Sequence, residues 1–179
     1  MQDNTIADQV WTWLDKVIIG ENFCPFAKLV RMKQQIRLNI TEIKDEIDAL
    51  NAVLAECEFL DNHPEIDTTL LGFSEGFTSF DDYLALVESA NACISHHHYE
   101  GTYQLASFHP EYLFAGEPES SSSHYTNRSP IPLIHIIRED SITRVLSTFK
   151  HPDMIPERNI AHAEQLGIAF FKQFLPQND

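Results

Sequence analysis

Asp67-Thr-Thr-Leu-Leu-Gly-Phe73 reads as a short strand, an apolar and β-branched run with turn-forming residues close by. Ser79 then suits the N-cap of a helix that turns Phe80, Leu84, Val87 and Ile94 inward. Tyr103-Gln-Leu-Ala-Ser-Phe108 follows as a further strand. Upstream, Gln35 to Ile43 alternates, with Ile36, Leu38 and Ile40 on one face. A helix comes next, with Thr41 as its expected cap and Ile43, Ile47, Leu50, Leu54, Cys57 and Leu60 as its apolar stripe. The order strand–helix–strand–helix–strand implies right-handed crossovers between parallel strands. The expected fold is therefore α/β: a small parallel-type sheet of three or more strands covered by helices, in one domain over residues 1–179.

The flanks are less regular. A first helix is expected from Asn4 or Thr5, with Ile6, Val10, Leu14, Val17 and Ile18 at helical spacing and Gly20 as its stop. Pro25 suits the first turn of a short second helix reaching about Arg31. From His109 to Ser129 no regular element is readable, and Glu119-Ser-Ser-Ser-Ser123 has a flexible composition. Loops of that length inside a domain are usually functional or disordered. After it a helix is expected, with Pro130 in its first turn and Leu133, Ile134 and Ile137 inward. A strand over Leu133–Ile137 is the rival, because isoleucine is β-branched and the run is short. Helices over Ser141–Phe149 and Pro156–Phe174 complete the chain.

With 12 basic against 27 acidic residues, the formal net charge is −15. Nucleic acid and anionic membrane surfaces need a cationic footprint, so neither is an expected partner. A small anionic ligand needs only a local cationic pocket. No secretory leader and no transmembrane-length apolar run is apparent. Three unpaired cysteines, Cys24, Cys57 and Cys93, suit a reduced, cytoplasmic setting. The basic residues lie in the first quarter and last third, leaving an acidic middle to pair with them or to stay solvated.

Several stretches are familiar as a set: Asn22-Phe-Cys-Pro-Phe-Ala-Lys28, Asp67-Thr-Thr-Leu-Leu71, Ser107-Phe-His-Pro110, Phe114-Ala-Gly116, Tyr125-Thr-Asn-Arg-Ser-Pro130, Leu133-Ile-His135, Arg138-Glu139 and Glu157-Arg-Asn159. In this order they resemble the bacterial family of unknown function DUF1415 over nearly the whole chain. Phe23 and Ile131 stand where the family usually has Leu and Tyr. The resemblance implies a single bacterial domain. It carries no activity, cofactor or site residue, so chemistry has to be argued from side chains.

Parallel α/β sheets bind ligands beyond the carboxyl ends of their strands. There the sequence places His109, with Asn127, Arg128 and Ser129 where the long loop returns. In the expected helix, His135 and Arg138 are three residues apart and share a face. Arg128, Ser129, Asn127 and Arg138 are thus candidates to hold a carboxylate or phosphate. His109 and His135 are candidate acid–base groups, able to titrate near neutral pH. Cys24, before Pro25 at the expected helix start, is a candidate nucleophile. His109-Pro-Glu111 has the His-x-Glu spacing of zinc deaminases but lacks their Pro-Cys-x-x-Cys partner, so no metal is expected. The expected function is an enzyme acting on a small anionic molecule at the strand edge. The rivals are a non-catalytic binding or regulatory domain and an interaction module for a basic partner. Cofactor and oligomeric state stay open.

Overall fold

The structure, a computed structural model, describes residues 5–148 and 150–176. Helix α1 (Ile6–Trp13) starts at Thr5, whose hydroxyl accepts from the Asp8 amide while the Asp8 carboxylate accepts from the Thr5 N–H. It continues as a π-helical turn over Leu14–Ile19, ending at Gly20. Then follow α2 (Ala27–Met32), β1 (Ile36–Thr41), α3 (Glu46–Asn62), β2 (Thr68–Phe73), α4 (Phe80–His96), β3 (Tyr103–Phe108), β4 (Leu133–Arg138), α5 (Glu139–Leu146), α6 (Ile155–Leu166) and α7 (Ile168–Phe171). Ser79 caps α4 as expected. Asp45, not Thr41, caps α3; the Thr41 hydroxyl donates instead to Gly72 O (3.1 Å). The long C-terminal helix expected over Pro156–Phe174 is broken at Gly167, whose φ of 72° is a left-handed value that side chains resist.

The sheet has the order β1-β2-β4-β3. β1 and β2 pair in parallel through the α3 crossover. β3 points the same way but does not neighbour β2. β4 lies between them, antiparallel to both, with Phe108 opposite Leu133 and Tyr103 opposite Arg138. The sheet is therefore mixed, which corrects the parallel expectation. The cause is the 109–132 connection. It carries no crossover helix, only a 3-10 turn over Ser122–Thr126, so the chain re-enters the sheet at the edge where it left. Such a return gives an antiparallel neighbour. Leu133–Arg138 is thus the rival strand and not a helix. Its β-branched isoleucines suit a pleated, buried surface.

Side-chain alternation gives the sheet two covered faces. On one, Leu71, Phe73, Ile134 and Ile136 pack under Val53, Cys57 and Leu60 of α3 and Tyr83, Leu86 and Ala90 of α4. On the other, Leu70 and Leu133 pack under Val10 and Trp13 of α1, Leu14, Val17 and Ile18 of the π turn, and Phe171 of α7. Fully burying one such aliphatic side chain contributes about 2 kcal/mol. The acidic middle is partly paired with the basic N-terminal quarter. Buried Glu56 of α3 accepts from Arg37 Nε (2.8 Å) and Asn39 Nδ2 (2.7 Å) of β1, and Lys44 pairs with Glu75.

Candidate functional site

The candidate residues fall into three places. His109, Asn127, Arg128 and Ser129 meet at the carboxyl edge of β3, under the long loop. Cys24 and His135 meet on the sheet face beneath α1 and the π turn. Arg138 stands alone at the opposite edge, because β4 runs backwards and places residues 135 and 138 on opposite faces. The shared face expected of a helix does not exist.

At the carboxyl edge the polar groups serve the loop itself. Buried His109 accepts from the Glu111 N–H at Nδ1 (3.0 Å), so its Nε2 carries the proton and donates to Phe77 O (3.0 Å). Burial, first, lowers its affinity for a further proton, and nearby Arg128 acts in the same direction. His124, also buried, repeats the pattern: Phe114 N–H donates to its Nδ1 (3.0 Å) and its Nε2 donates to Pro118 O (2.8 Å). Ser129 donates to Ile131 O (2.6 Å). Asn127 donates to Ser107 O (3.0 Å). Arg128 donates through Nε to Tyr112 O (3.2 Å) and lies over the Tyr125 ring, 4.3 Å from its centroid. Among the described residues it has no carboxylate partner. Beside the loop an open cleft of about 400 Å³ runs against the start of α6, lined by Asn127, Phe114, Glu117, Ile155 and Asn159 among others.

Arg138 is a structural clamp. It donates to Leu60 O, Ile66 O (3.1 Å) and His63 O (3.3 Å), closing the C-terminal end of α3, and to the Tyr103 hydroxyl (3.3 Å).

The sheet-face pocket is different in kind. Its walls are mostly apolar: Leu14 and Ile18 above, Phe26 and Val30 at the side, Leu70 and Phe108 below. Its volume is about 30 Å³, room for one or two water molecules. Four groups on the wall carry polar atoms: Trp13, Cys24, Thr68 and His135. The Thr68 hydroxyl sends its one hydrogen to Ile136 O (2.6 Å). It can therefore only accept from His135 Nε2, also at 2.6 Å. That fixes the proton on Nε2 and leaves Nδ1 a bare acceptor, with no partner among the described residues. His135 keeps accessible surface despite sitting in the middle of an inner strand, and it lines the pocket. The Trp13 indole N–H is buried without an acceptor.

Cys24 reaches the pocket on a loop that is held from both sides. Phe23 N–H donates to Ile18 O of the π turn (2.9 Å). From α6, Asn159 Nδ2 donates to Phe23 O (2.8 Å), Arg158 donates to Asn22 O, and His162 bonds Glu21 (2.8 Å). The stretch Glu157-Arg-Asn159 thus holds the Cys24 loop. Burial raises the Cys24 thiol above its ordinary 9.0, partly offset by the Ala27 and Phe26 amides. Burial also lowers His135 to about 4. Both shifts oppose passing a proton from that thiol to that imidazole. The resting pocket holds a neutral thiol and a neutral imidazole, not an activated pair.

A family model described as "Protein of unknown function (DUF1415)" matches residues 5–173. The chain belongs to the DUF1415 family. No curated protein and no solved structure matches it. In this DUF1415 chain, two of the candidates named from sequence, Cys24 and His135, line one pocket. Trp13 and Thr68, which line the same pocket, look like ordinary helix and strand residues until the sheet order is known. Among the described residues no group of three or more His, Cys, Asp or Glu stands together as a metal site, and no helix is long and apolar enough to cross a membrane.

Proposed function

We propose that this chain is a binding domain for a small molecule, and that its site is the sheet-face pocket of Cys24 and His135. One observation carries the reading: the pocket leaves hydrogen-bonding capacity unspent in an interior where such groups are normally paired. Its roof adds support, because π-helical turns are rare and frequent at functional sites. Without movement the cavity admits only a few atoms, so a larger ligand needs Leu14 and Ile18 to shift. The neutral Cys24–His135 pair favours binding over catalysis in the resting state.

A second reading keeps the expected anionic ligand at the carboxyl edge. It rests on Arg128, a half-buried cation without a carboxylate partner in a strongly acidic chain. Fragment screening by protein-observed NMR separates the two. The pocket reading expects neutral fragments to move the Leu14 and Ile18 methyl signals, and this response to disappear in His135→Phe. Fragments that instead carry a carboxylate, move the Arg128 and Tyr125 signals and ignore His135→Phe would transfer the site to the edge.

A further inference from the structure

We infer that the sheet-face pocket selects an uncharged ligand that presents a hydrogen-bond donor, an O–H or N–H on a compact apolar body, to Nδ1 of His135. The inference rests on the pocket reading above and adds the ligand's chemistry to it. It follows from the direction of two hydrogen bonds. Thr68 has one hydroxyl hydrogen, and Ile136 O, which can only accept, takes it at 2.6 Å. His135 must then donate from Nε2, also at 2.6 Å. A neutral imidazole with its proton on Nε2 offers only a lone pair at Nδ1. The pocket therefore asks for a donor at that point; the Trp13 N–H is an unpaired donor on its wall, and the rest is mostly apolar contact.

The same geometry rejects anions and gives no hydrogen-bond advantage to purely apolar ligands. A carboxylate or phosphate would set its lone pairs against that of Nδ1, inside walls of Leu14, Ile18, Leu70 and Phe108 that offer no cation. A purely apolar ligand would fit but leave Nδ1 unpaired, as it already is. Thr68 acts through His135 and is a positioning residue: it fixes which nitrogen is bare.

The test uses the whole protein, nitrogen-15 labelled at histidine, with three probes matched to a small cavity: xenon, ethanol and acetate. The free protein is expected to show His135 protonated at Nε2 and bare at Nδ1. Xenon should enter the pocket and move the surrounding methyl signals. Ethanol should shift Nδ1 saturably and bind about tenfold more tightly to wild type than to His135→Phe, the share of one neutral hydrogen bond. Acetate should shift neither ring nitrogen. In Thr68→Val the lock is gone, so a population protonated at Nδ1 should appear and the ethanol response at Nδ1 should weaken. A wild-type ring protonated at Nδ1, acetate binding as well as ethanol, or xenon entry with no ethanol response at Nδ1 would each overturn the inference while leaving the pocket standing. Exclusion of both xenon and ethanol would overturn the pocket reading and the inference together.

Discussion

The carboxyl edge and the sheet-face pocket each hold a histidine in contact with aromatic rings, yet their hydrogen bonds are in opposite condition. At the edge, both nitrogens of His109 and of His124 are committed to backbone groups. In the pocket, His135 is committed on one side only. A histidine with both nitrogens engaged by its own fold is a staple: it fixes a loop that has no ladder of its own. A histidine with one free lone pair beside a cavity has something left to offer a ligand. Saturation, more than residue type or position in the fold, separates the two roles here.

The largest effect that bears on this contrast is expected at His109. Replacing it with Ala removes a buried side chain and takes the partner from two backbone groups, the Phe77 carbonyl and the Glu111 N–H. Cavity and lost hydrogen bonds together should destabilise the fold by about 4 kcal/mol, read as a lower urea midpoint. A loss under about 1 kcal/mol would mean that the edge histidine is not a staple. His135→Phe should behave in the opposite way at pH 7. It removes one hydrogen bond and an unpaired acceptor and fills an apolar wall, so stability should stay within about 1 kcal/mol of wild type.

Acid sharpens the same contrast with a somewhat smaller effect. His135 has a folded pKa of about 4 against an ordinary 6.5. Between those values the unfolded chain binds the extra proton and the folded one does not, so stability rises with pH there. The contribution is complete above 6.5 and is lost as pH falls toward 4, amounting to about 3 kcal/mol at most. His109 is lowered too and adds to the slope in the same sense. His135→Phe should flatten the stability profile between pH 6.5 and 4 without abolishing the slope. An unchanged slope in that variant would show that His135 is not held neutral by the pocket.

Much of this fold can be read from the chain. Local pattern placed β1, β2 and β3, the Ser79 cap and the strand directions up to β3, because burial on a covered sheet imposes its period on sequence. It did not place β4. Leu133–Ile137 is short and apolar on both faces, a pattern that helix and strand share, and nothing local records that the chain returns beside β3 instead of crossing over. The site was legible only as residue types. Cys24 and His135 are far apart in sequence, and their meeting depends on β4 lying between β2 and β3. Thr68, which sets the proton on His135, is a plain strand threonine until His135 stands diagonally across from it on β4. Arg138 shows the reverse error: a cation that suggests anion binding is spent on the carbonyls at the end of α3.

The smallest effect concerns the loop that brings Cys24 to the pocket. Its placement rests on α6, through the bond from Asn159 to Phe23 O. Losing that one bond in Asn159→Ala should lower stability by only about 1 kcal/mol. Its chemical consequence should be more visible. In wild type, Cys57 is fully buried, with its thiol pushed up to about 12, and should not react with iodoacetamide. Cys93 lies half-exposed on α4 and should react first. Cys24, half-buried at the pocket wall with its thiol raised by burial, should react slowly. Freeing its loop should speed Cys24 alkylation relative to Cys93 in the same molecule, an internal reference that global unfolding would not mimic, since unfolding exposes Cys57 as well. If Cys24 keeps its wild-type rate in Asn159→Ala, α6 does not set the thiol's position, and the pocket wall it forms must be held by the π turn alone.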